Sequence, residues 1–305
     1  MTSVRDLLTA HPAFAEGCCV TYVRDGDLNE IAQLVTEEAT VHYDVAAVSG
    51  LALLDRSGAW AVLLEPHGHQ GARLDILPAL STGGHAVSAV WDSTGRARLR
   101  EAQDGRLTSS VTTDPEAALT SAAQTTGLPL DDRLLDVPHP AVRLDPKVSP
   151  LVPGTFANHP ALTGLGMLLA GPEPADLPLL ATLTAGLVAS HTAITGEPAV
   201  AAALTALHAG TAPDGLRPRL TELADRYAAV RDDPATPPDE MRAAFYRFHG
   251  AQAVLASLSD DPAEAAWQAC YRATSAVGGS FDDQLRLEVL RRLVERARRD
   301  PQPQR

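Results

Sequence analysis

A chain of 305 residues, 45% hydrophobic and 21% charged, is long enough for two domains with separate cores and too apolar to stay disordered. Its formal net charge is −13, and neither half is basic: residues 1–130 hold eight arginines against sixteen carboxylates, residues 155–305 fourteen against eighteen. Phosphate-driven nucleic-acid binding therefore lacks its electrostatic term. Cys18, Cys19 and Cys270 are odd in number and show no metal-type spacing, as expected of small buried residues in a reducing cytoplasm. The opening MTSVRDLLTAHP has no apolar core of signal-peptide length. Lys147 is the only lysine, a coding bias expected of a GC-rich bacterial genome.

Up to Gly127, apolar residues alternate in short runs broken by turns. CCVTYVR predicts a strand, followed by a helix over DLNEIAQLVTEE with Asp27 at its cap and Glu30 three residues on. VAAVSGLALLD and GAWAVLLEP read as neighbouring strands joined through Arg56-Ser57-Gly58. HAVSAVWD carries apolar residues on both of its faces, which predicts a central strand. RARLREA and LTSSVTT follow, joined by the hairpin dipeptide Asp104-Gly105. DPEAALTSAAQTTG predicts a helix capped by Asp114, with Pro115 in its first turn and Gly127 after its last. Strands in sequence with tight turns mean an antiparallel sheet with few helices, expected on one face.

Three of these segments, GCCVTYVR (Gly17–Arg24), GAWAVLLEPHGHQG (Gly58–Gly71) and LSTGGHAVSAVW (Leu80–Trp91), come in this order. Together they resemble an uncharacterised actinobacterial family, a domain of unknown function, over residues 10–130. Its members read approximately G-x-C-x-T-x-V-R-G, W-x-x-x-x-E-x-N-G-x-x-G and L-S-x-G-x-x-A-V-S-V. The resemblance implies a kind of domain and no activity. Where members commonly carry asparagine, this chain has His67.

The same segment holds the sharpest chemical candidate. In EPHGHQG, Glu65, His67 and His69 alternate; on extended backbone they project to one side and would hold zinc or iron, with His42 or His85 completing the set. Against this, Pro66 and Gly68 mark a turn, in which Gly68 and Gly71 supply permissive backbone and Glu65 hydrogen-bonds the loop. LSTGG lacks the spacing and lysine of a phosphate loop, and no G-x-S-x-G elbow occurs.

Pro129, Pro138, Pro140, Pro146, Pro150 and Pro153 then form a proline-rich seam, in which neither a helix nor a central strand is expected to survive. Beyond it, Val148–Gly196 contains only two charges, Glu173 and Asp176. Leu177–Gly196 is long enough to span a bilayer. Its Thr182, Thr184, Ser190, His191 and Thr192, and the absence of an arginine belt, favour a buried helix preceded by an apolar surface loop.

Helical spacing governs the remainder, with helices predicted over 161–170, 176–194, 198–209, 216–231, 238–258, 262–277 and 281–299. Asp261, with Pro262 and Glu264, and Ser280, with Asp283, supply the last two caps. MRAAFYRFHGAQAVLASL is the most aromatic segment. Its two readings are a central helix giving bulk to an alanine-rich bundle, or a pocket for a ligand or partner formed by Phe245, Phe248 and His249 with Trp267.

The fold class expected is α+β: a sheet domain over 1–128, a connector over 129–155 and an all-α domain over 156–300. No clustered acid–base set emerges. The leading functional expectation is a non-catalytic protein of the bacterial cytoplasm that binds another protein or regulates it, needing no cofactor, no nucleic acid and no membrane. A metal-dependent hydrolase using Glu65, His67 and His69 is one alternative, and small-ligand binding by the helical domain is the other.

Overall fold

In the computed structural model, residues 6–7, 10–11, 14, 17–36, 39–45, 51–92, 95–131, 134–135, 138–143, 151–152, 156, 159–211 and 215–299 are described. An eight-stranded, wholly antiparallel sheet comes first. Its strands are β1 (Gly17–Arg24), β2 (Val41–Val45), β3 (Leu51–Ser57), β4 (Trp60–Pro66), β5 (His85–Asp92), β6 (Ala97–Gln103), β7 (Arg106–Thr113) and β8 (His139–Arg143). Their order in space is β2-β8-β3-β4-β1-β5-β6-β7. Local chemistry sets the hairpins: Asp104 and Gly105 both take positive φ (49° and 79°), the geometry a two-residue turn between right-twisted strands needs. β1 lies between β4 and β5, so a single strand carries the centre of the sheet.

Alternation along β1 splits the core in two. Cys18, Val20 and Tyr22 face a layer with Val62, Leu64, Val87, Ala89 and Trp91, closed by Ala118, Leu119 and Ala122 of helix α3 (Pro115–Thr126). Val23, with Leu54, Ala61, Leu63 and Ala86, faces the opposite way. There it meets Ile31, Ala32 and Val35 of α1 (Leu28–Val35) and Leu77 and Leu80 of α2 (Leu77–Leu80). Both faces of the sheet are therefore covered, not one as the strand pattern alone implied. Apolar residues on both sides of β5 are what two covered faces require.

The proline-rich seam also differs from expectation. β8 runs through Pro140 and sits inside the sheet, between β2 and β3. Proline is tolerated there because β2 and β8 lose register between His42 and Val45, and β3 pairs only with residues 141–143. Leu130, Leu134 and Leu135 join the α3-side core. The described residues between 129 and 143 thus fall within the sheet unit. Residues 46–50 of the run VAAVSGLALLD, and Pro146, Lys147, Pro150 and Pro153, lie outside the described residues.

The chain divides into two units: Met1–Ser149 with Gly154–Asn158 and Leu162–Gly171, and Pro150–Pro153 with His159–Ala161 and Pro172–Arg305. A strap, residues 162–171, thus belongs to the sheet unit. Expected as an apolar surface loop and a helix over 161–170, it forms only a short helix, α4 (Gly166–Leu169), and buries Met167 and Ala170 against Cys19, Ala72 and Val90.

Among the described residues, the second unit is built on six α-helices: α5 (Leu177–His191), α6 (Pro198–Ala209), α7 (Leu216–Asp232), α8 (Pro238–Ala256), α9 (Pro262–Ala276) and α10 (Phe281–Arg298). Asp261 accepts N–H bonds from Ala263 and Glu264, and Ser280 accepts one from Asp283, so both caps form where the sequence places them. The core is lined by small residues: Ala185, Ala189, Ala203, Ala251, Ala253, Ala273 and Ala276 are almost completely buried. Helices approach closely at Gly250 of α8, where an added Cβ would come within 2.6 Å of the Thr192 hydroxyl. No helix among the described residues is long and apolar enough to cross a membrane.

Candidate functional site

The EPHGHQG segment ends β4 and turns back over the sheet. Glu65 pairs with Cys19 across the β1–β4 ladder and is completely buried. Both of its oxygens are used by the loop it begins: Gln70 N–H donates to Oε2 at 2.8 Å and Gly71 N–H to Oε1 at 2.7 Å. The loop can lie this close only because it lacks two side chains. A Cβ on Gly68 would stand 2.6 Å from Glu65 Cβ, and one on Gly71 would stand 2.3 Å from Thr21 Oγ1. Burial, only partly offset by these N–H groups, raises the Glu65 carboxyl from 4.5 to about 7.

His67 and His69 go opposite ways. His67 is exposed, in the turn, with φ of 59°, and its N–H donates to the Gly17 carbonyl at 2.9 Å. His69 is buried, and burial, with the Arg73 guanidinium second, lowers it from 6.5 to about 4. The alternation in sequence therefore does not translate into one shared side, because the backbone is a turn and not a strand. Among the described residues no three His, Cys, Asp or Glu side chains stand together as metal ligands would. His42 lies exposed on edge strand β2, and His85 opens β5 beside Trp60.

Beneath the loop, Thr21 Oγ1 and Ser88 Oγ are 2.9 Å apart, and Cys19 Sγ lies 3.3 Å from Ser88 Oγ and 3.5 Å from Thr21 Oγ1. All three are completely buried. Burial, then the charge of Glu65, pushes the Cys19 thiol far above its ordinary value, so it is held protonated and unreactive. Two buried arginines on β6 complete the layer. Arg98 donates to the Gly171 carbonyl at 2.7 Å; Arg100 donates to the carbonyls of Ala72 at 2.7 Å, Ala170 at 2.8 Å and Gly171. In RARLREA these two alternate with Ala97 and Leu99, and the sequence alone did not single them out. The available signal was the uncharged, carbonyl-bearing stretch before Pro172, whose carbonyls two guanidiniums can bind.

The chemistry-bearing residues of the sheet unit thus hold main chain in place. Glu65 ties the loop, Arg98 and Arg100 tie the strap, and Arg73 bridges Asp75 and Gln70. Glu65, Cys19, Thr21 and Ser88 are closed to solvent.

The aromatic segment of α8 lies differently. Its buried residues are Ala244, Gly250, Ala251, Ala253 and Val254, while Phe245 and Tyr246 are 38% and 36% exposed. The reading of a central helix that supplies bulk is corrected: the closely packed alanine core leaves room for Phe248 and Leu255 only at its margin. Phe245, Phe248 and His249 do come together. The His249 ring is 4.5 Å from that of Phe245 and 5.1 Å from that of Phe248, both edge to face. The Arg231 guanidinium lies 4.5 Å over Phe248. Burial, then the charges of Arg231 and Arg272, lowers His249 below its ordinary value, and its Nδ1 is buried without a hydrogen-bond partner. Trp267 is engaged elsewhere, with the Arg298 guanidinium 4.9 Å from its ring. The i, i+4 spacing of Trp267 and Tyr271 leads one to expect both to pack against α8; Tyr271, on α9, is instead 61% exposed.

Set against models of protein families, curated proteins and solved structures, the chain matches none.

Proposed function

We propose that this chain is a non-catalytic interaction module of the bacterial cytoplasm, which binds a partner protein through the aromatic face of α8 and α9. One observation carries the reading. On a chain of net charge −13, Phe245, Tyr246 and Tyr271 are exposed beside Arg247 and Arg272, also exposed. Aromatic and arginine side chains are the residues that dominate binding energy at protein interfaces, and a solvated helix face has no need of three large rings. The closed polar layer of the sheet unit supports the non-catalytic half of the reading, since its groups are buried and committed to the backbone or to one another. Membership of residues 10–130 in the actinobacterial family that their motifs resemble is part of the same proposal.

The test is a capture experiment with the full chain as bait in its native host. A stoichiometric protein partner is expected, and Phe245→Ala with Tyr271→Ser is expected to release it while leaving the melting temperature unchanged. Recovery of the chain alone, or a partner indifferent to that double substitution, overturns the proposal.

A further inference from the structure

The aromatic face of α8 and α9 has a charge pattern unlike that of the rest of the chain. The chain carries 38 carboxylates, yet none falls in residues 241–259, which cover most of α8, or in residues 265–281, which cover most of α9. These two runs hold Arg242, Arg247 and Arg272. The nearest carboxylates of the two helices, Asp239, Glu240 and Glu264, sit in first turns, where the helix dipole favours them.

Folding leaves two of these arginines over. Arg242 has Asp239 at 3.7 Å, Arg231 of α7 is held by both oxygens of Asp232, and Glu264 accepts from the Gln268 amide at 2.9 Å. Arg247 and Arg272 are exposed, and among the described residues neither has a carboxylate partner. Arg272 lies close to the rings: its charge and that of Arg231 both bear on His249, whose imidazole packs against Phe245 and Phe248. On α9, Tyr271 follows Trp267 by one helical turn.

We infer, on the reading of this face as a protein interface, that its occupant is an acidic segment of another protein that carries an aromatic or aliphatic side chain. That side chain covers Phe245 and Tyr271, which are 38% and 61% exposed, and carboxylates of the segment pair with Arg247 and Arg272. Charge selects this occupant. Elsewhere the surface of a chain of net −13 turns an acidic segment away, so its approach is confined to the face where carboxylates are missing. A second copy of the chain brings the same repulsion over a far larger area. Nucleic acid needs many cations to release its counterions, and this face offers few.

The experiment has two arms. The first is capture with the full chain from its native host, comparing Arg247→Gln with Arg272→Gln against Phe245→Ala with Tyr271→Ser. Both pairs are expected to release the partner at unchanged melting temperature, since all four side chains are exposed. A partner released by the aromatic pair but kept by the arginine pair overturns this inference and leaves the interface itself standing; the absence of any protein partner overturns both. The second arm is fluorescence anisotropy with a labelled peptide of glutamates around a central tryptophan, and with its glutamine counterpart. The full chain is expected to bind the glutamate peptide at least about tenfold more tightly, and to lose that preference in the arginine pair and in high salt. Equal affinity for the two peptides, or a preference that survives the arginine substitutions, overturns the inference. So does recovery of RNA or of a second copy of the chain on this face in place of an acidic partner.

Discussion

Glu65→Gln tests the energetic reading of the buried loop through its dependence on pH. The Glu65 carboxyl sits at about 7 in the fold against an ordinary 4.5, so between those values the native state keeps a proton that the unfolded chain releases. Its stabilising effect is complete below about 4.5 and disappears as pH rises through 7. At ~1.36 kcal/mol per pH unit the whole effect is about 3 kcal/mol. His69 works in the opposite sense. Held at about 4 against an ordinary 6.5, it resists a proton that the unfolded chain accepts. Its contribution is complete above 6.5 and is lost as pH falls toward 4, again by about 3 kcal/mol. Across pH 4.5–6.5 the two slopes oppose each other, so the wild-type sheet unit is expected to hold a nearly constant stability. Glu65→Gln removes one slope and exposes the other: stability of the variant should climb by about 3 kcal/mol from pH 4 to 6.5. A constant cost of about 1–3 kcal/mol comes on top, since the amide offers one acceptor to two N–H groups, those of Gln70 and Gly71. The assay is urea unfolding at successive pH values in a Trp267→Phe background, where buried Trp60 and Trp91 report on the sheet unit alone. A variant profile as flat as the wild type's would refute the opposed pair.

Two further substitutions, at Gly71 and Arg100, probe the same layer, with Gly186 of the helical unit as a contrast. Gly71→Ala drives a methyl group to 2.3 Å from Thr21 Oγ1, which the bond to Ser88 holds in place, and should cost about 2–3 kcal/mol; Gly186→Ala in α5, with nothing within 4 Å of the added Cβ, should instead gain about 0.5–1 kcal/mol, both read from melting temperatures. Arg100→Met takes one donor from each of the carbonyls of Ala72, Ala170 and Gly171, of which Ala170 keeps the Leu74 N–H and Gly171 keeps Arg98, and should cost about 1–3 kcal/mol and loosen the strap. Its readout is reaction of Cys19 with a thiol reagent, which is expected in the variant and absent from the wild type; equal protection in both would mean that the strap does not depend on Arg100.

Much of the framework was legible from residues alone. Asp27, Asp114, Asp261 and Ser280 cap the helices their spacing announces, and Asp104-Gly105 makes its hairpin. These are decisions taken within a few residues of chain. The candidate loop was legible in part. Glycines at 68 and 71 pointed to a turn, and the turn is what separates His67 from His69. Opaque to the sequence were Pro140 inside the sheet, Arg98 and Arg100 under the strap, and the outward rings of α8. Each depends on what packs opposite: a register slip in β2, carbonyls at residues 170 and 171, and an alanine core with no space for phenylalanine.

By itself, then, the amino-acid order determined the two hydrophobic rhythms, the caps, the tight turns and a net acidic charge, because alternation, capping and turn chemistry act over one to four residues. Only the tertiary structure decided that the strap belongs to the sheet and that Glu65 binds backbone with both oxygens. Those outcomes rest on partners brought together by folding, as far apart in sequence as the 70 residues between Arg100 and Ala170. No periodicity records a contact of that kind.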